Sequence, residues 1–233
     1  MTAIIFDIDG TLTNTTKVDD KCFIQAFQHI FGIDISNQNW SDLQNVTDWG
    51  ITEEIVFKEM NRIPTDSEYK KMILEFVRLL TNELKNNKMQ FKEIEGALNF
   101  IQSLKQSQNF SIGIATGGWE KTAILKLKSI GIDYTEFAFS NSNQFMKRGT
   151  ILVDTIQQLR KKLDKKIERT IFFGDGIWDF LTCKELGIEF IGIDNQHNGE
   201  LKKIGAKTVF NDFKNPELII NYINNRVNES HKT

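Results

Sequence analysis

The stretch Ala3-Ile4-Ile5-Phe6-Asp7-Ile8-Asp9-Gly10-Thr11-Leu12-Thr13 constrains this chain most. Four apolar residues run into one carboxylate, a second follows two positions later, and Gly10 and Thr11 break the run. This reads as a buried strand carrying two acids to its carboxyl end, where open α/β sheets place their sites. Side chains alternate along a strand, so Asp7 and Asp9 would share a face if it continued. The strand is therefore expected to end near Asp7, with Gly10 permitting the turn. Two carboxylates this close repel unless a cation lies between them or one holds a proton, which implies a divalent metal, acid/base work, or both.

The rest of the chain divides by pattern. From about Thr16 to Met89 no strand is expected. Val18 to Phe31 carries apolar residues at helical spacing, Thr52 to Met60 reads as a shorter helix with Thr52 as N-cap, and Tyr69, Ile73, Phe76, Leu80 and Leu84 form one stripe of a later helix. From Gly96 onward helices and strands alternate. Helices are expected over Ala97–Leu104, Trp119–Ile130, Ile151–Leu163, Trp178–Leu186 and Pro216–Val227, with strands over Phe110–Ala115, Phe137–Phe139, Thr170–Phe173 and Phe190–Ile193 and at Val209. Such alternation gives right-handed crossovers and a parallel sheet covered on both faces. The expected fold is α/β: a parallel-sheet, Rossmann-like core of residues 1–15 and 90–233, with residues 16–89 inserted as an α-helical cap.

Charge is nearly balanced, with 29 Lys and Arg against 31 Asp and Glu, and no low-complexity tract occurs. Neither a nucleic-acid binder nor a disordered chain is indicated. No segment approaches a membrane span, and the N-terminus lacks a basic region followed by a long apolar run. The two cysteines, Cys22 and Cys183, lie far apart without metal-ligand spacing and are expected to pack in helices. A soluble, cytoplasmic chain, monomer or weak dimer, acting on a small molecule is expected. His29, His197 and His231 sit on helical or polar stretches and take no role.

Three further stretches carry chemistry. Ile112-Gly113-Ile114-Ala115-Thr116-Gly117-Gly118 ends a strand in a hydroxyl and two glycines, where backbone N–H groups and the Thr116 hydroxyl can hold a phosphate oxygen. Lys147-Arg148 is a basic pair ahead of a helix. In Phe172-Phe173-Gly174-Asp175-Gly176-Ile177-Trp178-Asp179, Asp175 ends a buried strand and Asp179 follows one helical turn later, so both can face Asp7 and Asp9. Four converging carboxylates without His or Cys suit Mg²⁺, with Asp7, Asp9, Asp175 and Asp179 as candidate ligands.

Asp7-Ile8-Asp9-Gly10-Thr11-Leu12 after its hydrophobic strand resembles the nucleophile motif of the haloacid dehalogenase superfamily, in its phosphatase and phosphomutase branches. Thr116, the Lys147-Arg148 pair and Gly174-Asp175-x-x-x-Asp179 resemble that superfamily's later motifs, in order. The resemblance implies that Asp7 attacks phosphorus to form an aspartyl-phosphate, while Asp9 protonates the leaving alkoxide and then activates water. It implies Mg²⁺ as cofactor, a phosphate held near Thr116 and Gly117, and a balancing cation. Relatives often carry Lys followed by Pro at the cation. Here Arg148 and Gly149 follow Lys147, so both Lys147 and Arg148 remain candidates.

The family's cap faces the site through a loop such as Asn45-Val46-Thr47-Asp48-Trp49-Gly50, which makes Asp48 and Trp49 candidate substrate contacts, with simple capping of the helix at Thr52 as the alternative. Trp178 is expected in a core or hinge contact. The activity implied is that of a phosphatase of a small phosphorylated metabolite, phosphoglycolate-like or a sugar phosphate. A β-phosphoglucomutase-like phosphomutase and a phosphonate hydrolase are alternatives, the latter wanting a cap lysine such as Lys58. A catalytically silent binding protein of the same fold is a further alternative, disfavoured because binding alone does not need all four carboxylates.

Overall fold

In the computed structural model, which describes residues 1–162 and 166–230, the central strand β1 (Thr2–Phe6) is buried along its whole length. Its alternating side chains feed two cores, as a strand covered on both faces should. Ile4 and Phe6 point into one, with Phe100, Phe173 and Phe213, and Phe6 stacks on Phe173 at 5.0 Å between ring centroids. Ala3 and Ile5 point into the other, with Ile151, Ile156 and Phe172.

The helices α1 (Thr16–Phe31), α2 (Asp48–Met60) and α3 (Asp66–Asn86) follow β1. Then come α4 (Ala97–Lys105), β2 (Phe110–Ala115), α5 (Glu120–Ser129), β3 (Ala138–Ser140), α6 (Arg148–Lys162) and β4 (Arg169–Gly174). The chain continues through α7 (Ile177–Leu186), β5 (Glu189–Ile193), the short α8 (Glu200–Lys203), β6 (Val209–Phe210) and α9 (Pro216–Ser230). The six strands form one sheet in the order β3-β2-β1-β4-β5-β6, with every pairing parallel. The strand order reverses at β1, so the crevice beyond its carboxyl end is where a ligand of such a sheet binds.

The expected α/β sheet with inserted helices is what forms. Helices α1 to α3 bury their own apolar cluster, in which Phe23, Phe27, Phe76 and Leu80 meet Trp119 from the core. Three helix starts differ from expectation by two residues or more. Helix α2 begins at Asp48 rather than Thr52, because Thr47 is the N-cap and its hydroxyl accepts from Gly50 N at 3.0 Å. Thr52 is buried in the second turn, donating to Asp48 O. Helix α6 begins at Arg148 rather than Ile151, which places Arg148 in its first turn. Helix α1 begins at Thr16, two residues before Val18. Leu163, expected on the inward face of α6, and His231 lie outside the described residues.

Candidate active site

Strand β1 ends at Phe6, and the backbone turns immediately. Leu12 N and Thr13 N both donate to Ile8 O, and Gly10 adopts φ 72°, a left-handed conformation that glycine tolerates. The space that glycine leaves is occupied: a Cβ at Gly10 would lie 1.8 Å from Asp175 Oδ2. The first motif is therefore bare at this point so that the carboxylate at the end of β4 can approach.

Asp7, Asp175 and Asp179 come together, with one carboxylate oxygen from each within 4.8 Å of the others. Asp7 is 5% exposed and Asp179 is fully buried. Burial first, then the Asp179 charge, pushes the Asp7 carboxyl up to about 7 against the opposing pull of Arg148. Asp175 is raised well above the usual carboxylate range by burial and by Asp179 and Asp7. Burial also raises Asp179, although Arg148 and the backbone N–H of Gly176 counter it. Asp7 Oδ1 is buried without a hydrogen-bond partner. Crowded carboxylate oxygens with one acceptor unsatisfied make a donor set suited to a hard divalent cation.

Of the basic pair, Arg148 enters this site and Lys147 does not. Arg148 Nη1 donates to Asp179 Oδ1 at 2.7 Å and lies 3.5 Å from Asp7 Oδ2, while its guanidinium also donates to Val46 O. Trp178 lies beneath it, the guanidinium carbon 5.9 Å from the ring centroid, so the tryptophan both supports Arg148 and lines the cavity. Lys147 is exposed one residue away. Thr116, 2% exposed, lines the cavity beside Gly117, and its hydroxyl accepts from Gly118 N at 3.1 Å, leaving its own proton to donate.

Asp9 does not join the other three carboxylates. Its side chain turns toward the cap, where Thr15 Oγ1 donates to Oδ1 at 2.6 Å and Lys126 Nζ bonds Oδ2. Lys126, from α5, is fully buried and also bonds Asp19 of α1 at 2.7 Å. Burial opposes its charge, but Asp19, Asp9 and Asp48 together outweigh that and raise its pKa. Sequence reading passed over this lysine. The available signal was a charged residue next to Leu127 and three after Ala123, on the inward stripe of an amphipathic helix.

Asp48 and Trp49, the two cap candidates, separate. Asp48 borders the cavity, but its Oδ2 accepts from Trp119 N at 2.7 Å and its own N–H donates to Gly117 O at 2.8 Å. Together with the Thr47 hydroxyl on Met146 O, it fastens the start of α2 to the core. Trp49 is absent from the cavity wall, packing edge-on against Tyr69 with its indole N–H on Glu53. Lys58 lies exposed on α2, away from this cavity.

The haloacid dehalogenase-like hydrolase family profile matches residues 4–193, a span running from β1 to the end of β5 and including every motif above. The chain belongs to the haloacid dehalogenase-like hydrolases. No curated protein matches it in sequence. Among solved structures, a hydrolase from Pseudomonas syringae is similar at TM-score 0.74 and 19% identity, covering 97% of this chain and 99% of that one. CbbY from Rhodobacter sphaeroides, in complex with phosphate, is similar at 0.65 and 16%, covering 91% and 95%. A HAD hydrolase of family IA, variant 3, from Entamoeba histolytica is similar at 0.64 and 22%, covering 91% and 94%. At these identities the likeness is one of fold. In this haloacid dehalogenase-like hydrolase, then, the sheet order, the helical cap and the acidic strand ends all belong to one architecture.

Proposed function

We propose that the chain is a Mg²⁺-dependent phosphatase of a small phosphorylated metabolite, acting through an aspartyl-phosphate on Asp7. One observation carries the reading: Asp7 offers an unpartnered buried oxygen at the end of the central strand, beside Arg148 and two further carboxylates. The all-oxygen set of Asp7, Asp175 and Asp179 fits Mg²⁺, which when bound neutralises phosphoryl oxygens and holds the nucleophile ionised.

The chain's own residues supply the rest. Arg148, anchored by Asp179, balances charge at Asp7. The Thr116 hydroxyl donates to a phosphoryl oxygen from the adjacent strand end. An Asp7 oxygen attacks phosphorus and the bond to the leaving oxygen breaks; Asp9 enters this step protonated and gives that oxygen its proton, and the carboxylate so formed is the one Thr15 and Lys126 hold. In the second half Asp9 takes a proton from water, whose oxygen attacks phosphorus and releases Asp7. Thr15 and Lys126 hold the Asp9 carboxylate at the core–cap boundary, where a leaving group would lie. Residues 1–15 and 90–233 carry the reaction, and the cap of residues 16–89 covers it and excludes competing water.

Asp7→Asn should abolish turnover of a small aryl phosphate with the fold retained, and chelation should abolish it reversibly. Asp9→Asn should lower turnover by about 10²- to 10⁴-fold. Full activity of Asp7→Asn, or of the wild type in chelator, contradicts the proposal.

A further inference from the structure

The reacting half of the site explains Asp7, Asp175, Asp179 and Arg148, but not the opposite, cap-facing wall of the same cavity of about 300 Å³. That wall is acidic and aromatic. Asp19 and Asp20 reach it from α1 and Asp48 from α2, with Phe23 and Trp40 between them. The Trp40 indole donates to Asp20, and Phe23 and Trp40 meet edge-on at 6.2 Å. Glu200, at the start of α8 in the core, adds a further carboxylate to the cavity lining.

Positive charge is short here. Among the described residues, Arg148 is the one cationic side chain on the cavity wall, and it belongs to the Asp7 end, bound to Asp179. Lys126 is fully buried and engaged by Asp9 and Asp19. Burial and the nearby Asp9 push Asp20 up to about 6, as expected where carboxylates outnumber cations. Two residues lining the same cavity each carry a buried oxygen without a hydrogen-bond partner: Asp7 Oδ1, on a residue 5% exposed, and Thr16 Oγ1 at the start of α1. The cap half of the cavity thus sets Asp19, Asp20 and Asp48 against one cation, the buried Lys126, which Asp9 shares.

We propose that this half takes an ammonium group, so that the substrate is the phosphomonoester of an amino alcohol. The inference rests on the phosphatase reading and names its substrate class. Carboxylates of the cap supply the counter-charge, and Phe23 and Trp40 place aromatic rings on the same wall, a kind of group that attracts a cation. A leaving group with a carboxylate or a second phosphate meets Asp19, Asp20 and Asp48 with no accessible cation to pair with.

The test compares O-phosphoethanolamine, glycerol phosphate, phosphoglycolate and a small aryl phosphate on the full chain with Mg²⁺. Efficiency on O-phosphoethanolamine should exceed that on the other two metabolite esters by at least about tenfold, a modest return for one partly buried charge contact. Asp20→Asn should lower the ratio of phosphoethanolamine to aryl phosphate efficiency by about tenfold. Preference for the neutral or anionic ester, or a ratio unmoved by Asp20→Asn, overturns the inference. Thermal-shift titration with ethanolamine and with glycolate, neither of which turns over, tests the subsite apart from catalysis. Ethanolamine should stabilise the protein and glycolate should not, and the reverse overturns the inference. Absence of aryl phosphate turnover overturns the phosphatase reading instead, and the ethanolamine titration still decides whether the subsite selects a cation.

Discussion

At Gly10 a missing side chain decides the site. Its φ of 72° and the 1.8 Å approach of Asp175 Oδ2 to a would-be Cβ mean that alanine there must displace the carboxylate or the turn. Gly10→Ala should therefore raise the Mg²⁺ concentration needed for half-maximal turnover by tenfold or more, since it moves a ligand rather than removing one. An unchanged metal requirement would show that Asp175 is not a ligand. Residue types were legible where chemistry is local: Asp7, Asp175 and Thr116 stand at strand ends that hydrophobic runs announce. Arg148 could not be separated from Lys147 in the sequence, because the choice depends on which residue starts α6 and turns inward over Trp178. The pairing of Asp9 with Lys126 joins residues 117 positions apart, and no local pattern encodes it.

Among the elements, the start of α2 separates expectation from structure most clearly. Both Thr47 and Thr52 are acceptable N-caps, and Gly50 argues for a loop. Tertiary contacts decide for Thr47: Asp48 and Thr47 each bond the core, so the helix begins where it is fastened. Asp48 is thus a fastener at the cavity edge, and Trp49 is part of the α2–α3 contact. Asp48→Ala leaves the buried Trp119 N–H without its acceptor, at a cost of about 1–3 kcal/mol. It should lower the melting temperature and depress turnover of every phosphate ester, that of the amino-alcohol ester most. Trp49→Ala should lower stability without changing the ranking of substrates, and a changed ranking would restore Trp49 as a specificity contact. The long periodic elements α1, α3 and β1 were legible because their apolar spacing is unbroken, whereas α8 and the short 3₁₀ turns are too brief to leave a pattern.

Over the whole molecule, burying so many acids makes stability depend on pH. Asp7 and Asp48 are pushed up to about 7 and Asp20 to about 6, each chiefly by burial. In the unfolded chain such groups lose their protons near pH 4. Between about pH 4 and 7 the folded state therefore holds more protons, so stability falls as pH rises through that window and the penalty is complete above it. Glu68 and Glu75, held near 2 chiefly by arginine partners, act the opposite way but only below about pH 4.5. In chelator the melting temperature should drop from pH 5 to pH 7.5, and Mg²⁺ should raise it more at pH 7.5 than at pH 5. A flat or rising profile in chelator would mean that the acidic cavity is not strained by its own charge.

Asp7 is the residue proposed to take the phosphoryl group. The most direct test is the stereochemical course at phosphorus, using a substrate whose phosphorus is made chiral with oxygen isotopes and sulfur. Transfer to Asp7 and then to water comprises two in-line displacements, so net retention of configuration is predicted. Net inversion would mean that water attacks the substrate directly, and would contradict the role given to Asp7.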